Sequence, residues 1–88
     1  MKIEIHSYAQ KQLSKASPKI KKKVEGLVIY ILKNDSLNNF PFDIKPLKGK
    51  LGIYKEVLID KDYRVFFRIE NDIFYIRYAG THNCLRTG

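Results

Sequence analysis

Tyr63-Arg64-Val65-Phe66-Phe67-Arg68-Ile69-Glu70-Asn71-Asp72-Ile73-Phe74-Tyr75-Ile76-Arg77-Tyr78 is the stretch on which the reading of this chain turns. Two runs rich in β-branched and aromatic residues are separated by Asn71-Asp72 alone. Asn and Asp tolerate the positive φ that a two-residue type I′ loop demands, so the stretch reads as a β-hairpin. That loop places Glu70 opposite Ile73, Arg68 opposite Tyr75, Phe66 opposite Arg77, and Arg64 opposite Ala79. Residues opposite one another share a face of the sheet. One face is therefore expected to carry Arg64, Phe66, Arg68, Tyr75 and Arg77, and the other Val65, Phe67, Ile69, Phe74, Ile76 and Tyr78. The second set is a core. The first interleaves guanidinium groups with aromatic rings, which together grip phosphate oxygens in fork geometry and stack on bases.

Upstream of the hairpin, Ile3 and Ile5 alternate with Lys2, Glu4 and His6, the pattern of a short strand with one face buried. His6 reads as a solvated, strand-end histidine. A short helix is expected from Ser7 to about Ala16, carrying Tyr8, Ala9 and Leu13. Ser17-Pro18 then starts a second helix, since Ser supplies an N-cap acceptor and Pro at the first helical position loses no hydrogen bond. Its apolar stripe, Ile20, Val24, Leu27, Val28, Ile31 and Leu32, keeps the 3.6-residue period to about Lys33. Lys19, Lys21, Lys22 and Lys23 crowd the first turn, where positive charge opposes the helix dipole; the run is either a solvated face or one that an acidic partner relieves.

Asn34 to Phe42 reads as a loop, with Leu37, Phe40 and Phe42 as anchors onto the core. Pro46 confines the following segment, Ile44 to Lys50, to a sheet edge. A further strand is expected over Ile53 to Ile59, leading through Asp60-Lys61-Asp62 into the hairpin. Strand, helix, helix and then three or four strands make an α+β domain. Two N-terminal helices pack on one face of a mainly antiparallel, twisted sheet of four to five strands, and the arginine face stays open.

The 88 residues suffice for one domain, residues 1–88. Lys and Arg total 17 against 9 Asp and Glu, a net charge of +8 that favours nucleic acid or an acidic protein as partner. No stretch approaches the length of a membrane span and no secretory segment opens the chain, so a cytoplasmic location is expected. Cys84 is the only cysteine, and neither a disulfide framework nor a metal-ligand spacing is present; no cofactor is implied.

Extending the hairpin register past Arg64 brings Thr81 opposite Asp62 and His82 to the mouth of the arginine face. A histidine exchanges a proton near neutral pH, a carboxylate orients it or acts as base, and arginines stabilise a phosphorane-like transition state. That chemistry suits metal-free RNA cleavage by the ribose 2′-hydroxyl. The residues alone leave RNA binding, RNA cleavage and binding to a protein open.

The run Leu47-Lys48-Gly49-Lys50, then Tyr54-Lys55-Glu56, Asp62-Tyr63 and Gly80-Thr81-His82-Asn83 with Leu85 resembles the RelE/ParE toxin superfamily, particularly its YafQ-like branch of mRNA interferases. The resemblance implies a RelE-like toxin domain of a type II toxin–antitoxin system that cleaves mRNA, usually on the ribosome, and is neutralised by a cognate acidic antitoxin. It matches His82 to the family's C-terminal catalytic histidine, Asp62 to its aspartate, Tyr63 to the aromatic residue that follows, and Arg64 to an arginine of RelE-like members. Lys45 and Leu58 stand where YafQ-like sequences carry histidines, and Arg86 stands where they carry an aromatic residue. Proton transfer then falls to His82, Asp62, Glu56 and lysines. The expected site is His82, Asp62, Arg64 and Glu56 for catalysis, with Lys45, Lys48, Lys50, Lys55, Tyr63, Arg68, Arg77 and Arg86 on RNA. The alternative within the same fold is a ParE-like, non-nucleolytic toxin or a weakly catalytic RNA- or protein-binding module.

Overall fold

Alternation at the N-terminus produces the first strand, β1 (Lys2–Ile5), in which Ile3 and Ile5 face inward and Lys2 and Glu4 outward. The computed structural model describes residues 1–34, 42–47 and 52–81. Helix α1 (Ser7–Ser14) is capped by His6, whose ring nitrogen Nδ1 accepts from the Tyr8 amide, so it is this side chain that starts the helix. The helix ends before the expected Ala16, and the amides of Lys15 and Ala16 close it on the carbonyls of Gln12 and Leu13. Helix α2 (Pro18–Lys33) begins as its sequence demands, with Ser17 Oγ accepting from the Ile20 amide at 3.3 Å and Pro18 at the first position.

Ile20, Val24, Leu27 and Ile31 of α2 are buried, whereas Leu32 is 58% exposed. At about 100° per residue Leu32 lies roughly 110° from the centre of that stripe, so it falls outside the face the sheet covers. Strands β2 (Asp43–Pro46), β3 (Lys55–Leu58), β4 (Tyr63–Glu70) and β5 (Ile73–Thr81) complete the described elements. β3 is shorter than the expected Ile53 to Ile59, and Ile53 is exposed. Of the loop anchors, Phe42 packs against the core, while Leu37 and Phe40 lie outside the described residues.

The strands form one sheet in the order β1-β5-β4-β3-β2. β2, β3, β4 and β5 pair antiparallel, and β1 joins β5 in parallel at the far edge. Pro46 sits on the edge strand β2, where its missing N–H costs no ladder bond. Both helices contribute to one core with Val57, Ile59, Tyr63, Val65, Phe67, Phe74, Ile76 and Ala79, in which the rings of Phe67 and Phe74 stack at 4.3 Å and 12°. The other face of the sheet carries the arginines.

The β4–β5 turn is as the sequence demands: Asn71 and Asp72 have φ of 53° and 64°, and Glu70 to Phe67 pair with Ile73 to Ile76 in the expected register. Beyond that point the register changes. Phe66 lies opposite Tyr78, Arg64 opposite Gly80, and Tyr63 opposite Thr81, so the expected pairings with Arg77, Ala79 and Asp62 are corrected by one residue. Arg77 is the extra residue of a β-bulge. The cause lies on the other side of β5. Pairing of β1 with β5 ends at Ile5 and Ile76, the His6 amide donates to the Ile76 carbonyl at 2.9 Å, and α1 flanks β5 from there on. The bulge falls where β5 changes its neighbour from a strand to a helix. Its consequence is that Tyr78 leaves the core face for that of Phe66, and Ala79 takes the core position opposite Val65.

Candidate functional site

The open face is built in rows. Lys45 on β2 pairs with Glu56 on β3, Glu56 with Phe66 on β4, and Phe66 with Tyr78 on β5. The neighbouring row reads Asp43, Leu58, Arg64, Gly80. Over β2, β3 and β4 these rows enclose a cavity of about 310 Å³ lined by Asp43, Ile44, Lys45, Glu56, Leu58 and Arg64. Glu56 is only 9% exposed, and its Oε1 lies 2.9 Å from Arg64 Nε. A carboxylate withdrawn from water needs such a cation, and here Arg64 supplies it diagonally from the adjacent strand.

The arginines do not stand free as a set. Arg64 is paired with Glu56, and Arg68 stacks over the Tyr75 ring at 4.9 Å while its Nη1 lies 3.3 Å from Glu70. Arg77 lies over the Tyr78 ring at 4.4 Å and reaches His6 Nδ1 at 3.1 Å. Phe66, expected to be open for stacking, is 1% exposed and sits edge-on beneath Tyr78 at 5.9 Å, so no base reaches it. Tyr63 is corrected too: it is buried within the main core, on the face opposite Arg64, and its ring is not presented with the arginines. Lys55 is exposed but pairs with Phe67, off the cavity rows.

Asp62 is exposed in the β3–β4 turn. Its neighbour Asp60 is the engaged carboxylate, 3.3 Å from Lys23 and 3.5 Å from Lys19. The Lys61 backbone amide, and after it Lys23 and Lys19, hold the Asp60 carboxyl below the ordinary carboxylate range, against an opposing effect of desolvation. Lys19 and Lys23 of the basic run that opens α2 are thus paired within the chain. His82, Arg86, Lys48 and Lys50 lie outside the described residues; His82 follows Thr81, the last residue of β5, directly in sequence.

Sequence reasoning missed His6 and Tyr8. The ring of Tyr8 meets that of Tyr78 edge-on at 5.7 Å, beside the His6–Arg77 contact. Their separation from Arg77 by some seventy positions leaves no local signal; only the bulge and the parallel β1–β5 pairing bring them together. Among the described residues no group of three or more His, Cys, Asp or Glu side chains is placed to hold a metal ion, and no helix is long and apolar enough to cross a membrane.

Two helices on a five-stranded sheet give the chain the α+β fold of solved RelE, YafQ and YoeB/ParE toxins. The RelE of a RelB–RelE antitoxin–toxin complex from Methanococcus jannaschii superposes with a TM-score of 0.80 at 20% identity over 93% of each chain. YafQ from E. coli strain BL21(DE3) does so with 0.77 at 20% over 94% of each. A YoeB/ParE toxin from Agrobacterium tumefaciens gives 0.71 at 16% over 93% of this chain and 99% of its own. No family model and no curated protein sequence matches the chain.

Proposed function

We propose that this protein is the toxin of a type II toxin–antitoxin system and cleaves ribosome-bound mRNA in the cytoplasm by attack of a ribose 2′-hydroxyl on the adjacent phosphate. The observation that carries the reading is the buried Glu56 carboxylate, ion-paired to Arg64 at 2.9 Å in a cavity that Lys45 and Asp43 also line. A carboxylate beside a guanidinium supplies the two things the reaction needs at one phosphate. Glu56 takes the 2′-hydroxyl proton as the 2′-oxygen–phosphorus bond forms, and Arg64 stabilises the charge that collects on the phosphoryl oxygens. Lys45, exposed at the cavity edge and opposite Glu56, draws the phosphate in. His82 then protonates the 5′-oxygen as its bond to phosphorus breaks, with Asp62 assisting and Lys48, Lys50 and Arg86 steering the strand. The products are a 2′,3′-cyclic phosphate and a 5′-hydroxyl.

The partner we propose is an acidic antitoxin that neutralises the +8 chain. The similar RelE structure is itself of an antitoxin–toxin complex, which supports that assignment. Expression of His82→Ala and Arg64→Ala variants tests the reading: growth arrest and cleavage of translated mRNA are expected to fall by about 10² or more in each. Undiminished toxicity in both would refute it and favour a toxin that acts without a nuclease site.

A further inference from the structure

The row Lys45–Glu56–Phe66–Tyr78 continues the cavity row onto β5, two strand spacings, or roughly 10 Å, from the Glu56 carboxylate. There the bulge brings Arg77 and Tyr78 together, with the guanidinium over the ring at 4.4 Å. His6 Nδ1 accepts from the Tyr8 amide at 3.2 Å and faces Arg77 Nη1 at 3.1 Å. Since both neighbours of Nδ1 are donors, the neutral ring carries its proton on Nε2 and offers it as a second donor beside the guanidinium. Tyr8, edge-on to Tyr78 at 5.7 Å, keeps 40% of its surface exposed. Among the described residues Arg77 has no carboxylate partner, unlike Arg64 with Glu56 and Arg68 with Glu70.

We infer that His6, Tyr8, Arg77 and Tyr78 form a second nucleotide subsite, which binds the single-stranded RNA nucleotide next to the one cleaved. The exposed ring of Tyr8 stacks on its base, and Arg77 with His6 Nε2–H holds its phosphate. The inference rests on the RNA-cleaving reading and deepens it. It assigns to the N-terminal helix a part in holding substrate, and it gives the bulge a use: an unbroken ladder would alternate Arg77 and Tyr78 to opposite faces. Stacking of this kind tolerates any base, so the subsite adds affinity and register along the strand rather than sequence choice.

The test uses the full chain carrying Glu56→Gln, which holds RNA without cutting it, and a short fluorescent single-stranded oligoribonucleotide read by anisotropy. Tyr8→Ala in that background is expected to weaken binding roughly 5- to 150-fold, the range for losing one base–aromatic stack. An oligoribonucleotide made abasic at the adjacent nucleotide is expected to bind the parent protein with a similar loss, and to bind Tyr8→Ala with no further loss. Tyr8→Phe, which keeps the ring, restores binding, and circular dichroism shows that each variant is folded. If Tyr8→Ala binds the intact oligoribonucleotide as the parent does, the subsite is wrong while RNA binding stands. If the parent binds no RNA, either free or on ribosomes carrying mRNA, the cleavage reading and the subsite fall together. Loss of binding to a poly-glutamate peptide with RNA binding unchanged would assign the cluster to a protein partner and overturn the inference as well.

Discussion

Replacing Glu56 by Gln keeps the shape of the cavity floor and removes one charge, which separates chemistry from packing at this position. In the folded chain Glu56 Oε1 and Arg64 Nε are 2.9 Å apart, with most of both side chains out of water. The contact is an ion pair without hydrogen-bond alignment at Nε, so removing the charge while keeping the shape should cost on the order of 1 kcal/mol. In a domain of this size that lowers Tm by about 4–8 °C. Cleavage, in contrast, should fall by about 10² to 10⁴ with the loss of the base. RNA binding should become tighter at low salt, because the phosphate no longer faces a carboxylate. Thermal melts, anisotropy and cleavage of a translated mRNA, measured at a temperature where both proteins are folded, give the three numbers. Wild-type cleavage by Glu56→Gln, or RNA binding weakened in step with Tm, would refute the role given to this carboxylate and leave the pair as a structural tie.

Two further substitutions probe the scaffold. Asp60, whose carboxyl is held below the ordinary range, binds fewer protons when folded than when unfolded as the pH falls through the unfolded value. Its contribution is therefore present at neutral pH and lost on acidification below about pH 4; Asp60→Asn should flatten the acid limb of urea midpoints plotted against pH, and an unchanged limb would remove Asp60 from the account. Asp72→Val places a β-branched residue at φ 64° and should cost about 1–2 kcal/mol in urea unfolding, with Asp72→Gly at or above wild-type stability.

The hairpin turn and the first four pairs of its ladder were legible because Asn71-Asp72 states its own backbone requirement and alternation does the rest. The bulge was not legible. Arg77 and Tyr78 fit an unbroken alternation equally well, and the shift arises from β1 ending at Ile5 so that α1 lies along the remainder of β5. The same non-local event hid His6 and Tyr8, which local pattern assigned to a solvated strand end and an ordinary helix. The Glu56–Arg64 pair was half legible: both residues stood out as candidates, but the β3–β4 register that joins them passes through Asp60-Lys61-Asp62, a turn without a Gly or Pro signature. Burial of Tyr63 follows the alternation it shares with Val65 and Phe67, whereas burial of Phe66 could not be read from periodicity alone. Alternation tells which face a ring occupies, whereas Phe66 is withdrawn from solvent beneath a tyrosine that the bulge moved to its side.

The central claim, cleavage of mRNA through the 2′-hydroxyl, is tested most directly by the ends it leaves. Ribosome-bound mRNA incubated with the purified chain should yield fragments carrying a 2′,3′-cyclic phosphate and a 5′-hydroxyl, and fewer of them, by a factor of about 10² or more, with Glu56→Gln. Intact mRNA under conditions where the protein still arrests growth, or fragments with 3′-hydroxyl and 5′-phosphate ends, would contradict it.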